Sequence, residues 1–199
     1  MKVIGLCGGS GSGKGTVAKI FEKYQVRSID TDAVYHKITS GKSPCLDELE
    51  KFFGGDIIGE DGGLDRRALA KIVFSEDGEQ KRACLNKIAH KYVLIEVRKI
   101  LEEFRSNGNR AAIVDAPMLF ESGFNTECDC VVCVIADRGV RIGRITERDN
   151  ISHEAACARI DSQLPDEQLA QMCDYKIVNN GDLAALNEAV ADLAEKILN

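Results

Sequence analysis

The sequence predicts an α/β fold: a five-stranded parallel sheet with a helical insertion between its second and third strands. Three observations predict it. First, five short apolar segments, "KVIGLC" (2–7), "VRSI" (26–29), "AAIVD" (111–115), "CVVCVIA" (130–136) and "YKIVN" (175–179), are continuous runs rather than alternating ones. That is the pattern of strands covered on both faces. Second, helical stripes lie between strands, and alternation of strand and helix builds a parallel sheet with right-handed crossovers. Third, residues 33 to about 107 carry helical patterns and no strand signal, too long a crossover to be a linker.

In chain order, the first strand runs into "GLCGGSGSGKGT" (5–16), and Val17, Ile20, Phe21 and Tyr24 then form one stripe of a helix. The second strand ends in "SIDTDAVYH". Helical stretches follow at 33–40, 45–53, 65–75 and 80–105, broken by the glycine-rich "FGGD" and "GEDGG". Val93, Val97, Ile100 and Phe104 stripe the last of these. The final helix carries Leu183, Leu186, Val190, Leu193 and Ile197, with Asp182 as its N-cap. The expected organisation is a core of residues 1–35 and 108–199 with an inserted helical subdomain at 36–107. There is no internal repeat and no low-complexity segment.

The chain has 199 residues, 44% hydrophobic and 29% charged, an ordinary globular composition. A formal net charge of −6 argues against a general nucleic-acid binder, so an anionic ligand must meet local basic groups. No apolar run reaches membrane-spanning length. Met1-Lys2-Val3-Ile4 leads straight into a glycine-rich turn, which does not read as a signal peptide. Eight cysteines without an export signal point to free thiols in a reducing cytoplasm. Cys128, Cys130 and Cys133 suggest a metal site, but on a strand Cys130 and Cys133 face opposite ways, and buried cysteine behaves as a small hydrophobe.

Gly8-x-x-x-x-Gly13-Lys14 follows a strand and opens a helix, the context of a phosphate-binding P-loop. The chain must curl so that backbone N–H groups point at phosphate oxygens, which glycine permits and side chains would block. The helix behind the curl adds unpaired N–H groups and a positive dipole end. Gly9, Gly11, Ser12, Gly13, Lys14, Gly15 and Thr16 are therefore the expected nucleotide-phosphate contacts. A flexible Gly/Ser linker does not fit between strand and helix. "GKGTVA" (13–18) matches the dinucleotide pattern, with acids at Asp30 and Asp32, but its first glycine comes too far beyond the strand end. Gly15 departs from the strict motif, which has Ser or Thr after the lysine to ligate Mg²⁺. "GSGKGT" resembles the loop of adenylate kinases, so hydroxyl ligation is lost or passes to Thr16.

Asp30 and Asp32 fall at the carboxyl end of strand two, the ligand edge of an open parallel sheet. They read equally as a proton acceptor with its support, or as a helix start with Thr31 or Asp32 as the cap. Asp115 ends an apolar strand, where many P-loop proteins hold Mg²⁺ through water. Arg141, Arg144 and Arg148 share a helical face; they suit a lid closing over polyphosphate, or a solvated face paired with Glu147 and Asp149. Pro117-Met118-Leu119-Phe120 is a core-packing turn or a wall of the acceptor site. His90 reads as a helix histidine. Arg66 and Arg67 could meet an anion or lie on the surface, and His36 and His153 read as surface residues. "DIIG" (56–59) fits the D-x-x-G of a GTPase switch, but it lies in the insertion, and no Asn-Lys-x-Asp segment exists to read guanine.

Taken together, "GLCGGSGSGKGTVA", "IDTDAVYH", "LDRRALAKIVFSE" with "LNKIAH", "VDAPMLFE", "RITERDNIS", "ARIDSQ" and "CDYKIVNNG" resemble the dephospho-CoA kinase family nearly end to end. Uridine and nucleoside monophosphate kinases share the first block but not the set. The resemblance implies transfer of the ATP γ-phosphoryl to the ribose 3′-hydroxyl of dephospho-CoA, the last step of coenzyme A biosynthesis, with Mg²⁺. It implies a P-loop kinase core, a helical substrate domain and a helical lid at about 137–165. It implies Asp32 as general base and Lys14 and Arg144 as catalytic cations, with Arg148 and Asn180 on the nucleotide. Gln163 is implied at the lid end, and His36, Arg66, His90, Pro117 and Leu119 with Asp32 on the acceptor side. Thr16 and Asp115 are the metal-side candidates. The implied protein is a monomer or small homo-oligomer. Lys91 follows His90 where the family has Pro, so the helix start there is expected to differ.

Overall fold

The computed structural model describes residues 1–75 and 78–198. Glu76, which ends the "LDRRALAKIVFSE" stretch, lies outside them. The chain divides into two compact units, residues 1–29 with 103–199 and residues 30–102, so the divisions fall a few residues earlier than the sequence pattern suggested. Among the described residues no helix is long and apolar enough to cross a membrane.

The first unit is built on the sheet. Strands β1 (Lys2–Cys7), β2 (Val26–Asp30), β3 (Ala111–Asp115), β4 (Cys130–Ile135) and β5 (Tyr175–Val178) lie in the order β2-β3-β1-β4-β5. β1 is central. It pairs in parallel with β3, Leu6 opposite Asp115, and with β4, Cys7 opposite Cys133. Ile4, Leu6, Ile113, Val132 and Val134 meet Val17, Ile20 and Phe21 of helix α1 (Lys14–Glu22), and Leu186, Val190, Leu193 and Ile197 of the C-terminal helix Leu183–Leu198. Both expected stripes are thus the core faces of these helices. Tyr24 and Leu183 are the exceptions: α1 ends at Glu22, and both side chains are exposed. Asp182 caps the C-terminal helix, accepting from the Ala185 amide at 2.9 Å.

The cysteines of β4 behave as hydrophobes. Cys130 packs against the α1-side core, while Cys133 is fully buried on the other face. Burial pushes the Cys130 thiol up to about 11, so it stays protonated. Among the described residues no group of three or more His, Cys, Asp or Glu side chains is arranged to hold a metal ion.

The second unit is helical. Helix α2 (Thr31–Thr39), α3 (Pro44–Phe53), α4 (Arg66–Val73) and the long α5 (Gly78–Ser106) surround Leu46, Leu49, Ile57, Leu69, Val73 and Ile88. Each start is written locally. Ser43 caps α3 through the Leu46 amide, with Pro44 in the first turn where a missing N–H costs nothing. Asp65 caps α4 through the amides of Arg67 and Ala68. Asp56-Ile57-Ile58-Gly59, the D-x-x-G match, forms a 3₁₀ turn whose Ile57 is fully buried. α5 begins at Gly78 and runs unbroken past His90 and Lys91, so the absence of proline at 91 leaves one continuous helix rather than a new helix start. Lys91 Nζ and the Tyr92 hydroxyl both reach Glu48 Oε2 of α3 at 2.6 Å.

A proline at 91 removes an interior N–H donor and clashes with the preceding turn. Lys91→Pro is therefore expected to cost about 3 kcal/mol or more in urea denaturation, whereas Lys91→Met, which loses only exposed contacts to Glu48 and Tyr92, should cost under about 1 kcal/mol.

Candidate active site

The site of the first unit begins where β1 ends. Residues 8–13 curl back from Cys7 and deliver the chain into α1. Two glycines make the curl possible. Gly13 has φ +97, and a Cβ there would lie 2.2 Å from Asn179 Nδ2; Gly8 has φ +150, with a Cβ position 2.3 Å from the Val134 carbonyl oxygen. Gly13 is also the N-cap of α1, and no side chain caps that helix. Helices α2, α3 and α4 are capped by Asp30, Ser43 and Asp65, whereas the helices at Arg138–Asp149 and Asp166–Gln171, like α1, have no side-chain cap. The amides of Thr16 and Val17 donate to the Gly13 carbonyl. Those of Lys14 and Gly15 lie in the first turn, which has no intrahelical acceptor. An uncapped helix start with a positive dipole end is an anion site.

Cations gather around it. Lys14 Nζ lies 2.9 Å from the Gly8 carbonyl oxygen, folded over the loop. Arg144, on helix α6 (Arg138–Asp149), donates to the Asn179 carbonyl at 3.0 Å and lies 3.5 Å from that of Gly11. Asn179 is the residue the sequence reading passed over in favour of its neighbour. It is buried, donates to the Ser12 carbonyl at 2.8 Å, and so ties the phosphate loop to the end of β5 and to Arg144. Asn180 is exposed, and its Oδ1 accepts from the Asp137 amide at 2.7 Å. Ser12 is wholly buried beneath the loop surface. Asp115, opposite Leu6 at the end of β3, shares the sheet edge with the loop.

The three arginines do not form one anion-facing row, contrary to the lid reading of their spacing. Arg141 is buried and ion-paired with Asp166, Arg148 is exposed and paired with Asp149, and Arg144 alone flanks the loop. A helical period fixes the angle between side chains, but the burial of each depends on what packs nearby. Leu119, expected on the acceptor wall, is fully buried; it would meet a Cβ on Gly5 at 2.8 Å and belongs to the core. Pro117 beside it is exposed.

In the second unit, Asp30 caps α2, its Oδ1 accepting from the amides of Asp32 at 2.9 Å and Ala33 at 3.1 Å. The cap is thus neither Thr31 nor Asp32. Asp32 is exposed in the first turn, and His36, also exposed, lies one turn further along the same face. Arg66 donates to Thr39 Oγ1 at 3.1 Å. His90 is half-buried on α5.

A phosphate loop with its lysine, on a parallel sheet ordered 2-3-1-4-5, defines a protein of the P-loop nucleotide-binding class. The family model described as dephospho-CoA kinase matches residues 2–185, and the chain belongs to that family. Curated relatives agree. The dephospho-CoA kinase of Bacillus thuringiensis subsp. konkukian is 34% identical over 194 residues, covering 98% of this chain and 96% of the relative. That of Syntrophotalea carbinolica is 36% identical over 199 residues, 100% of this chain and 93% of the relative. Among solved structures, TT1252 from Thermus thermophilus superposes with a TM-score of 0.81 at 28% identity, covering 100% of this chain and 98% of the other. The shikimate kinase of Acinetobacter baumannii, at a TM-score of 0.53 and 18% identity over 99% of this chain and 93% of its own, shares the fold.

Gly13→Ala forces a Cβ onto Asn179 in a left-handed backbone that costs an L-residue about 1–2 kcal/mol. The expected result is a protein that folds by circular dichroism but binds ATP at least about tenfold more weakly in calorimetric titration, each tenfold being 1.4 kcal/mol.

Proposed function

We propose that this chain transfers the γ-phosphoryl of ATP to the ribose 3′-hydroxyl of dephospho-CoA, giving ADP and coenzyme A. The observation that carries the nucleotide half is the uncapped start of α1 behind Gly13, flanked by Lys14 and Arg144. Family membership carries the acceptor half. In this reading the Lys14 and Gly15 amides hold phosphate oxygens, with Gly9, Gly11, Ser12, Gly13 and Thr16 completing the loop. Lys14 turns from the Gly8 carbonyl to the outer phosphates. Arg144 neutralises charge that develops on the transferring group, which is most of what phosphoryl transfer asks of a protein. Arg148 and Asn180 serve the nucleotide, with Arg148 exchanging Asp149 for the anion.

Asp32 takes the proton of the 3′-hydroxyl as its oxygen bonds to the γ-phosphorus and the bond to the β-phosphate oxygen breaks. The capping of α2 by Asp30 supports this role, because Asp32 is not the residue that closes the helix start. His36, one turn along the same face, with Arg66, His90 and Pro117, would hold the acceptor. The Thr16 hydroxyl and the Asp115 carboxylate are hard oxygen donors at one sheet edge and fit Mg²⁺, directly or through water. Bound there, the ion would add charge neutralisation at the phosphates.

The purified chain should consume ATP rapidly with dephospho-CoA and little with uridine, AMP or no acceptor; equal turnover with AMP would make it a nucleotide kinase of another kind. Asp32→Asn is expected to keep ATP affinity and lower kcat by at least ~10²-fold, and unchanged turnover would remove Asp32 from the chemistry. Nothing lies within 4 Å of a Cβ on Gly15, so Gly15→Ser should fold normally. A lower Mg²⁺ requirement in that variant would show that the wild type lacks direct hydroxyl ligation; an identical Mg²⁺ titration would show that position 15 plays no part in it.

A further inference from the structure

Arg141 is an arginine that the proposed chemistry does not use, and it is 4% exposed. A buried guanidinium needs a carboxylate and a full set of acceptors, because desolvation is otherwise prohibitive. It has them, all within the first unit. Its NH1 donates to Asp166 Oδ1 at 2.7 Å, on helix α8 (Asp166–Gln171), which follows α7 (His153–Asp161). NH2 donates to Gln163 Oε1 at 2.8 Å, and Nε to the carbonyl of Ser10 at 2.8 Å. Gln163 Oε1 in turn accepts from the Ser10 amide at 2.9 Å. Both backbone polar groups of Ser10 are thus held by one Arg141–Gln163 pair, with Asp166 fixing the guanidinium. The fit is close: a Cβ on Gly9 would lie 2.2 Å from Arg141 NH2, and one on Gly11 would lie 2.7 Å from the Arg141 carbonyl oxygen.

We propose that Arg141, Asp166 and Gln163 are positioning residues that set the first turn of the phosphate loop from beneath. The inference rests on the nucleotide reading of that loop. With its N–H held by Gln163, Ser10 turns away from a bound anion, and the peptides that follow, from Gly11 to Gly15, are left to face it. A buried guanidinium whose three nitrogens each reach a different acceptor is suited to this because the planar fork fixes their relative directions. The same contact makes α6 and α8 report on the loop. A loop that shifts on binding phosphate must carry Arg141 or break its bonds to Ser10.

The test is a set of variants in the full chain: Asp166→Asn, Asp166→Leu, Arg141→Met, Gln163→Leu, and Arg141→Met with Asp166→Leu. Wild-type turnover with ATP and dephospho-CoA is the control. If it is absent, the kinase reading fails before the inference is reached. With the control active, Asp166→Asn and Gln163→Leu should raise the KM for ATP about ten- to a hundredfold, the scale of a small misplacement at a reacting group. The KM for dephospho-CoA should not move. A residue that merely stabilises the fold would lower the melting temperature and leave this split unchanged. The double variant should be no worse for ATP than Arg141→Met alone, since the residues act as one unit. Gln163 is exposed, so its variant should fold even if the Asp166 variant does not. Unchanged ATP KM in folded Gln163→Leu, or strictly additive losses in the double variant, would overturn the proposal.

Discussion

Everything in the nucleotide half of this protein depends on a helix that starts without a cap. The chain caps several helices with side chains, Asp30, Ser43, Asp65 and Ser152 each accepting first-turn amides, and starts α6 and α8 without one. At α1, the helix aimed out of the centre of the sheet, it places Gly13 instead. A side-chain cap there is worth about 1 kcal/mol of stability. Forgoing it leaves amides and a positive dipole end that a phosphate satisfies better than water does. The loop that makes this possible is held by neighbours rather than by its own sequence. Asn179 fixes it at Ser12 and the Arg141 cluster fixes it at Ser10.

That arrangement divides the arginines by task. A cation on a helix face can reach backbone carbonyls, pair on the surface, or be buried as a structural fork, and α6 carries one of each. Arg144 lies against the loop, Arg148 pairs with Asp149 at the surface, and Arg141 is buried with Asp166. The exposed pair is worth little in stability. The buried one is costly to break, because loss of either partner strands a charge.

The second unit follows simpler rules. Helices α2, α3 and α4 carry explicit side-chain caps, and the unit closes on an aliphatic core that includes Leu49 and Ile57. Lys91 lies inside the unbroken α5, where lysine continues a helix that proline would interrupt. Its ammonium and the adjacent Tyr92 hydroxyl share Glu48, which joins α3 to α5.

The sequence by itself determined the five strands, the order of elements, the helical insertion and the phosphate loop. These are local properties: runs of β-branched residues, helical periods, and glycines where a curl needs them. It also showed that Asp30 and Asp32 matter at a strand end, without saying which one caps the helix. Only the tertiary structure decided that Asp30 does so, that Leu119 is core, and that Tyr24 lies outside the α1 stripe. Only it distinguished Asn179 from Asn180, and Arg141 from Arg144. In each case the sequence offers identical side chains at equivalent spacing. What separates them is desolvation, and a side chain is desolvated by neighbours that are distant in the chain.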